Sequence, residues 1–138
     1  GGGIWTSAAE AAVKTNGKVI GVDVDQSALI NKYAADMCLT SAMKGLGATV
    51  KSCLKSIVSN TFDSEYAGKV SSLGLVSGTN IDENFVALPT ESWSMKKFTV
   101  DDYRKLVADV FDGKIKVSND IGDVPATSVK VNVYPNIK

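Results

Sequence analysis

The chain has no histidine, three prolines, two cysteines and no long apolar run in its 138 residues. Without histidine it lacks the commonest general base and the commonest transition-metal ligand. The two cysteines, Cys38 and Cys53, sit in apolar segments without CxxC spacing. They read as two buried thiols rather than a redox or zinc motif, and they do not fix a redox compartment. No run of about 18 apolar residues exists to form a membrane-spanning helix. Nor is there an excess of either charge. Residues 1–69 carry 7 basic and 6 acidic side chains, and residues 70–138 carry 8 and 9. That balance gives no footprint for DNA, RNA or an anionic membrane surface.

What remains is the profile of a globular domain, 44% hydrophobic and 22% charged, long enough for a real core. Residues 4–15 hold four alanines and predict a short, largely buried helix. Asn16-Gly17 is its stop signal, because both residues tolerate the left-handed conformation. Residues 18–23 form a brief apolar run closed by an acid and predict a central parallel strand ending in Asp23. Residues 25–36 read as a loop with one helical turn, and residues 37–40 as a second short strand.

From Leu46 onward the apolar positions Val50, Cys53, Leu54, Ile57 and Val58 have helical spacing with one buried face. Strands are expected at 70–76 and 85–88, around a Gly78-Thr79-Asn80 turn. Thr99 can cap a helix that has Asp101 and Asp102 in its first turn. Tyr103, Leu106, Val107, Val110 and Phe111 form its apolar stripe, and Gly113 ends it. Strands are expected again at 115–117 and 129–134, the second alternating valine with polar residues. Helices alternating with short apolar strands give an α/β class.

Asp23 is the first candidate site residue. Ligands of open α/β sheets bind beyond the carboxyl ends of the strands, where a carboxylate can accept from two sugar hydroxyls. A loop cap or a solvated acid is the plainer alternative. Asp23-Val24-Asp25 also has the form of a strand ending in DxD, as at the start of haloacid-dehalogenase-type phosphatases, but Gln26 stands where those enzymes have glycine. That reading predicts Mg²⁺-dependent turnover of a phosphate ester, abolished by Asp23→Asn. Lys44, in the run 40–45 after the second strand, could donate to a ligand, although most lysines are simply solvated. Gly1-Gly2-Gly3 could let a ligand approach the backbone before a helix, or be a cloning remnant. Trp5 and Trp93 could stack on a base, but burial is the more ordinary fate of both.

Taken together, VIGVDVDQ (19–26), LTSAMKG (39–45), LGLVSGTNIDENFVALP (73–89) and DGKIKVSND (112–120) resemble the basic membrane protein family. That family includes purine-nucleoside-binding lipoproteins of ABC importers. The resemblance runs from residue 1 to about residue 120. It implies a type I periplasmic-binding fold, a three-layer α/β/α arrangement with a mainly parallel sheet. In that fold two lobes enclose the ligand, and the 138 residues would be a C-terminal portion with pieces of both.

The resemblance also implies that Asp23 binds the ribose hydroxyls, that Lys44 reaches the nucleoside, that Gly2 lies against the ligand and that Asp25 is a further contact. Transport without catalysis follows, with a purine nucleoside and an ABC permease as partners, no nucleic acid and no cofactor or metal. The location implied is the extracytoplasmic face of the bacterial cell membrane, through a lipid anchor that these residues do not contain. Gly3, Ile4 and Trp5 depart from the family's glycine turn, and the family's base-stacking aromatics come from a region not represented here. An effector-binding half of a sugar-responsive repressor has the same fold, but would need an upstream helix-turn-helix.

Overall fold

Alanine content and a single asparagine set the first helix. Gly2–Ile4 forms a 3-10 turn that runs directly into α1, Trp5–Lys14. Asn16 closes it with φ 52°, in the left-handed region that asparagine tolerates. The chain then forms β1 (Val19–Asp23), the single turn α2 (Ser27–Ile30), and β2 (Cys38–Lys44). Next come α3 (Leu46–Val58), the short α4 (Phe62–Glu65), a 3-10 turn at Ile81–Glu83, β3 (Val86–Ala87) and α5 (Val100–Phe111). This computed structural model describes residues 2–118, together with residues 122, 126–128, 130 and 136.

The strands make one mixed sheet in the order β1-β2-β3. β1 and β2 are parallel, and the pair aligns Gly21 with Ser41 and Asp23 with Met43. β3 pairs antiparallel with the end of β2, placing Met43 opposite Ala87. The class is therefore mixed α/β. Its core lies where α1 and α2 meet the beginning of β2. Ala9, Ile30, Met37 and Cys38 are buried there, with Trp5, Ala12, Val19 and Ala34 packed around them. Alanine at position 9 lets α1 approach closely, and Trp5 meets Tyr33 edge-on at 5.9 Å. Burial pushes the Cys38 thiol above its ordinary value. Both cysteines are free.

Several expectations from the sequence are corrected. β1 is an edge of the described sheet rather than a central strand. Of α1 only Ala9 is buried, so that helix is not largely buried. α3 has the expected apolar spacing, but Leu46, Val50, Leu54 and Ile57 are all more than half exposed. Its one buried residue is Ser56. Residues 70–76 form no strand: the backbone N–H groups of Val76 and Ser77 donate to the Asn84 side chain instead of to a neighbouring strand. Residues 115–117 form none either. There Gly113 turns left-handed (φ 74°), and the N–H groups of Lys114 and Ile115 fold back onto Asp109 O. The strand expected at 129–134 falls, apart from Lys130, outside the described residues.

The last helix follows its sequence signals closely. Thr99 Oγ1 accepts from Asp102 N at 3.1 Å and Asp102 Oδ2 accepts from Thr99 N at 2.8 Å, a reciprocal capping box. Tyr103 and Val107 are buried, and Tyr103 Oη accepts from Leu88 N, which ties α5 to the segment after β3. Replacing Thr99 by alanine leaves the first-turn Asp102 N–H unmet and should lower the urea-unfolding free energy by about 1 kcal/mol. The Thr99 N–H, and then its hydroxyl, hold the Asp102 carboxyl below the ordinary 3.8. A depressed carboxyl stabilises the fold above its unfolded value and ceases to do so as pH falls through its folded value. Far-ultraviolet circular dichroism should therefore show α5 helicity falling below about pH 4. Asp102→Asn should flatten that acid limb.

Candidate functional site

Two short strands bring the candidate residues together. Asp23 is the last residue of β1 and holds φ 72°, a left-handed conformation that a non-glycine residue adopts only when its surroundings enforce it. The enforcing contacts are local. Gln26 Oε1 accepts from Val22 N at 3.0 Å, and Gln26 N donates to Ser41 Oγ at 3.1 Å. The loop after β1 is thus pinned to both strands. Gly21 is required beneath it, because a Cβ there would lie 2.4 Å from Ser41 Oγ. Gln26, the residue that breaks the phosphatase-like pattern, is therefore a structural clamp.

Asp25 lies two residues before α2, its Oδ1 accepting from Ser27 N at 2.9 Å. Partial burial would raise the Asp25 carboxyl, but hydrogen bonds led by the Ser27 N–H outweigh it and leave the group below the ordinary carboxylate value. On the neighbouring strand Lys44 ends β2, one residue beyond the partner of Asp23. Its Nζ lies 2.8 Å from Asp23 Oδ1, with both side chains substantially exposed. Such a pair contributes about 0–1 kcal/mol to stability, so the fold does not depend on it. Both groups can exchange their contact for a ligand.

The chain then turns at Gly45 into α3. Gly45 N donates to Phe85 O at 2.8 Å, and a Cβ on Gly45 would lie 2.2 Å from Asn84 O. Glycine here lets residues 81–87 close over the strand ends. Asn84 fixes that segment from within. It is 2% exposed, accepts from Val76 N and Ser77 N at 2.7 and 2.9 Å, and donates to Ser77 O at 3.0 Å.

The result is a cavity of about 470 Å³ at the carboxyl ends of β1 and β2. Asp23, Asp25 and Lys44 all line it. Gly2 belongs to the 3-10 turn before α1. The sequence reading missed Asp82, Asn84 and Glu91, which complete the wall, and the start of α3 at Leu46, Gly47 and Ala48. No side chain caps that helix start. A glycine directly before an apolar-periodic helix was the available signal, whereas residues 82–91 are placed by long-range contacts: the Gly45 approach, the β2–β3 pairing and the Asn84 and Tyr103 hydrogen bonds.

Val24, Leu88 and Pro89 supply apolar lining, and no aromatic ring is among the described lining residues. Four carboxylates against one ammonium make the wall net acidic. Asp25, Asp82 and Glu91 have no cationic partner among the described residues. This balance repels a phosphate dianion and suits a neutral ligand rich in hydroxyls, with acceptors on Asp23 and a donor on Lys44. No group of three or more potential metal ligands is present among the described residues. Trp5 lies in the core with Tyr33, and Trp93 packs against Phe98 and Tyr103, so neither reaches this cavity.

Comparison with known proteins gives no matching family model, no matching curated protein and no matching solved structure.

Two substitutions separate frame from site. Gly45→Ala should cost about 1–3 kcal/mol in chemical denaturation, because the new methyl overlaps the backbone of Asn84. Asp23→Asn should change stability by less than about 1 kcal/mol, since it removes only an exposed ion pair and asparagine tolerates the same φ.

Proposed function

We propose that this chain supplies one wall of the ligand cleft in the substrate-binding component of an ABC importer, and that the ligand is a nucleoside, most simply a purine nucleoside. The observation that carries the reading is the meeting of Asp23 and Lys44 at the carboxyl ends of two adjacent parallel strands, inside one cavity. In this reading the Asp23 carboxylate accepts from both ribose hydroxyls while Lys44 donates to the nucleoside, and Asp25 stands beside them. Binding and release form and break no bond. Specificity arises because buried polar groups left without partners are costly.

The fold proposed is the type I periplasmic-binding arrangement, in which two lobes close on the ligand. The 138 residues would carry pieces of both lobes. Two features support this. The apolar residues of α3 and the outward side chains Ile20 and Val22 of β1 are exposed, as expected where another part of a larger protein packs. Among the described residues the cavity also has no aromatic surface on which a purine base would stack. The working location would be the extracytoplasmic face of the bacterial membrane, held by a lipid anchor and delivering to a permease. Among the described residues no helix is long and apolar enough to cross a membrane.

A cleft with hydroxyl-binding groups but no stacking surface should bind weakly. Titrating inosine into the isotope-labelled chain should shift the amides of residues 23–25 and 43–48, with a dissociation constant weaker than about 0.1 mM. Asp23→Asn should weaken this affinity several-fold. Micromolar binding would contradict the one-walled cleft, and absence of any shift at millimolar inosine would contradict the nucleoside reading.

A further inference from the structure

A second cavity lies at the opposite ends of the same strands. Its volume is about 660 Å³, within the range of small-molecule sites. Lys18, which lines it, directly precedes β1, and Leu39, which also lines it, is the second residue of β2. β1 is five residues long, so the two cavities are separated by roughly 15 Å of strand. Among the described residues they share no lining residue.

The outer wall is residues 93–98, and it is firmly attached. Ser94 Oγ donates to Leu39 O at 2.7 Å and lies 3.0 Å from Cys38 O, which straps the segment across the start of β2. Trp93 Nε1 donates to Phe98 O at 2.7 Å, closing the segment on itself. The Trp93 ring packs against Phe98 at 5.9 Å and Tyr103 at 5.6 Å. An aromatic side chain fixed in this way presents apolar area without paying ordering entropy on binding.

The charge of this cavity is opposite to that of the first. Lys18, Lys96 and Lys97 line it against the single acid Asp36. Lys18 Nζ donates to Asp36 O at 2.8 Å and so is partly engaged. Lys96 and Lys97 have no carboxylate partner among the described residues. Two adjacent unpaired ammonium groups beside a fixed indole and a Leu39–Met95 apolar lining ask for one kind of occupant. It has a flat apolar body and a negative charge at one end.

We propose that this cavity is a binding site for a small aromatic carboxylate, independent of the Asp23–Lys44 site. The ring lies against Trp93 and Phe98, and the carboxylate faces Lys96 and Lys97.

The test uses Trp5→Phe protein, in which Trp93 is the only tryptophan, and follows its indole N–H by nuclear magnetic resonance. The probes are indole-3-acetate and its uncharged counterpart indole-3-acetamide. Indole-3-acetate should shift the Trp93 resonance saturably, and the amide should bind about tenfold more weakly. The double substitution Lys96→Gln and Lys97→Gln should remove that difference by weakening only the acid. Both lysines are exposed, and the Trp93 resonance itself reports whether the wall stays folded. Equal affinity for acid and amide, an acid affinity untouched by the double substitution, or an unmoved Trp93 resonance would each overturn the proposal. Asp23→Asn should leave indole-3-acetate binding unchanged, which separates this site from the nucleoside reading.

Discussion

Asp23 and Lys44 are distant in the chain, and only the register of β1 against β2 joins them. Asp23 stands opposite Met43, so the next residue of β2 reaches its carboxylate. Everything that shapes the first cavity serves this pairing. Gly21 and Ser41 face each other across the strands, and Gln26 is bonded to both Val22 and Ser41. A slip of one residue would carry Ser41 away from Gly21 and Lys44 away from Asp23 together. The left-handed backbone of Asp23 is the local cost of ending the strand at a carboxylate, and the Gln26 clamp offsets it.

Local signals in the sequence were legible because short-range physics determines them. Asn16, Thr99 with Asp102, and Gly113 each act on the backbone within four residues of themselves, and each sits where the sequence places it. The apolar runs at β1 and β2 were recognisable, although β2 extends to Lys44 rather than stopping at Thr40. Residues 70–76 and 115–117 were not legible as irregular chain. Valine and isoleucine raise strand propensity, but a strand also needs a ladder partner, and here Asn84 and Asp109 take those backbone donors instead. The burial expected of α1 and α3 failed for the same reason. Helical spacing tells which face is apolar, not whether another element covers it.

The candidate site divides in a similar way. Asp23, Asp25 and Lys44 could be named from strand ends and motif form, and they line one cavity. Gly2 could be named only from resemblance, and it stands in the 3-10 turn that leads into α1. Asp82, Asn84 and Glu91 carry no sequence signal of proximity. They arrive because the absence of a side chain at Gly45 lets a distant loop close over the strand ends. The two cavities at opposite ends of the sheet also differ in charge, acidic at the carboxyl ends and basic at the amino ends. An overall balance of charge concealed that division, since composition averages over the two ends.

The central claim is that Asp23 and Lys44 act on a nucleoside as one unit rather than as two exposed charges. A double-mutant cycle of inosine affinity with Asp23→Asn, Lys44→Met and the pair together measures this directly. The account predicts non-additive losses, with a coupling of at least about 0.5 kcal/mol, because each group positions the other at 2.8 Å. Strictly additive losses, or a loss for only one of the two substitutions, would contradict it.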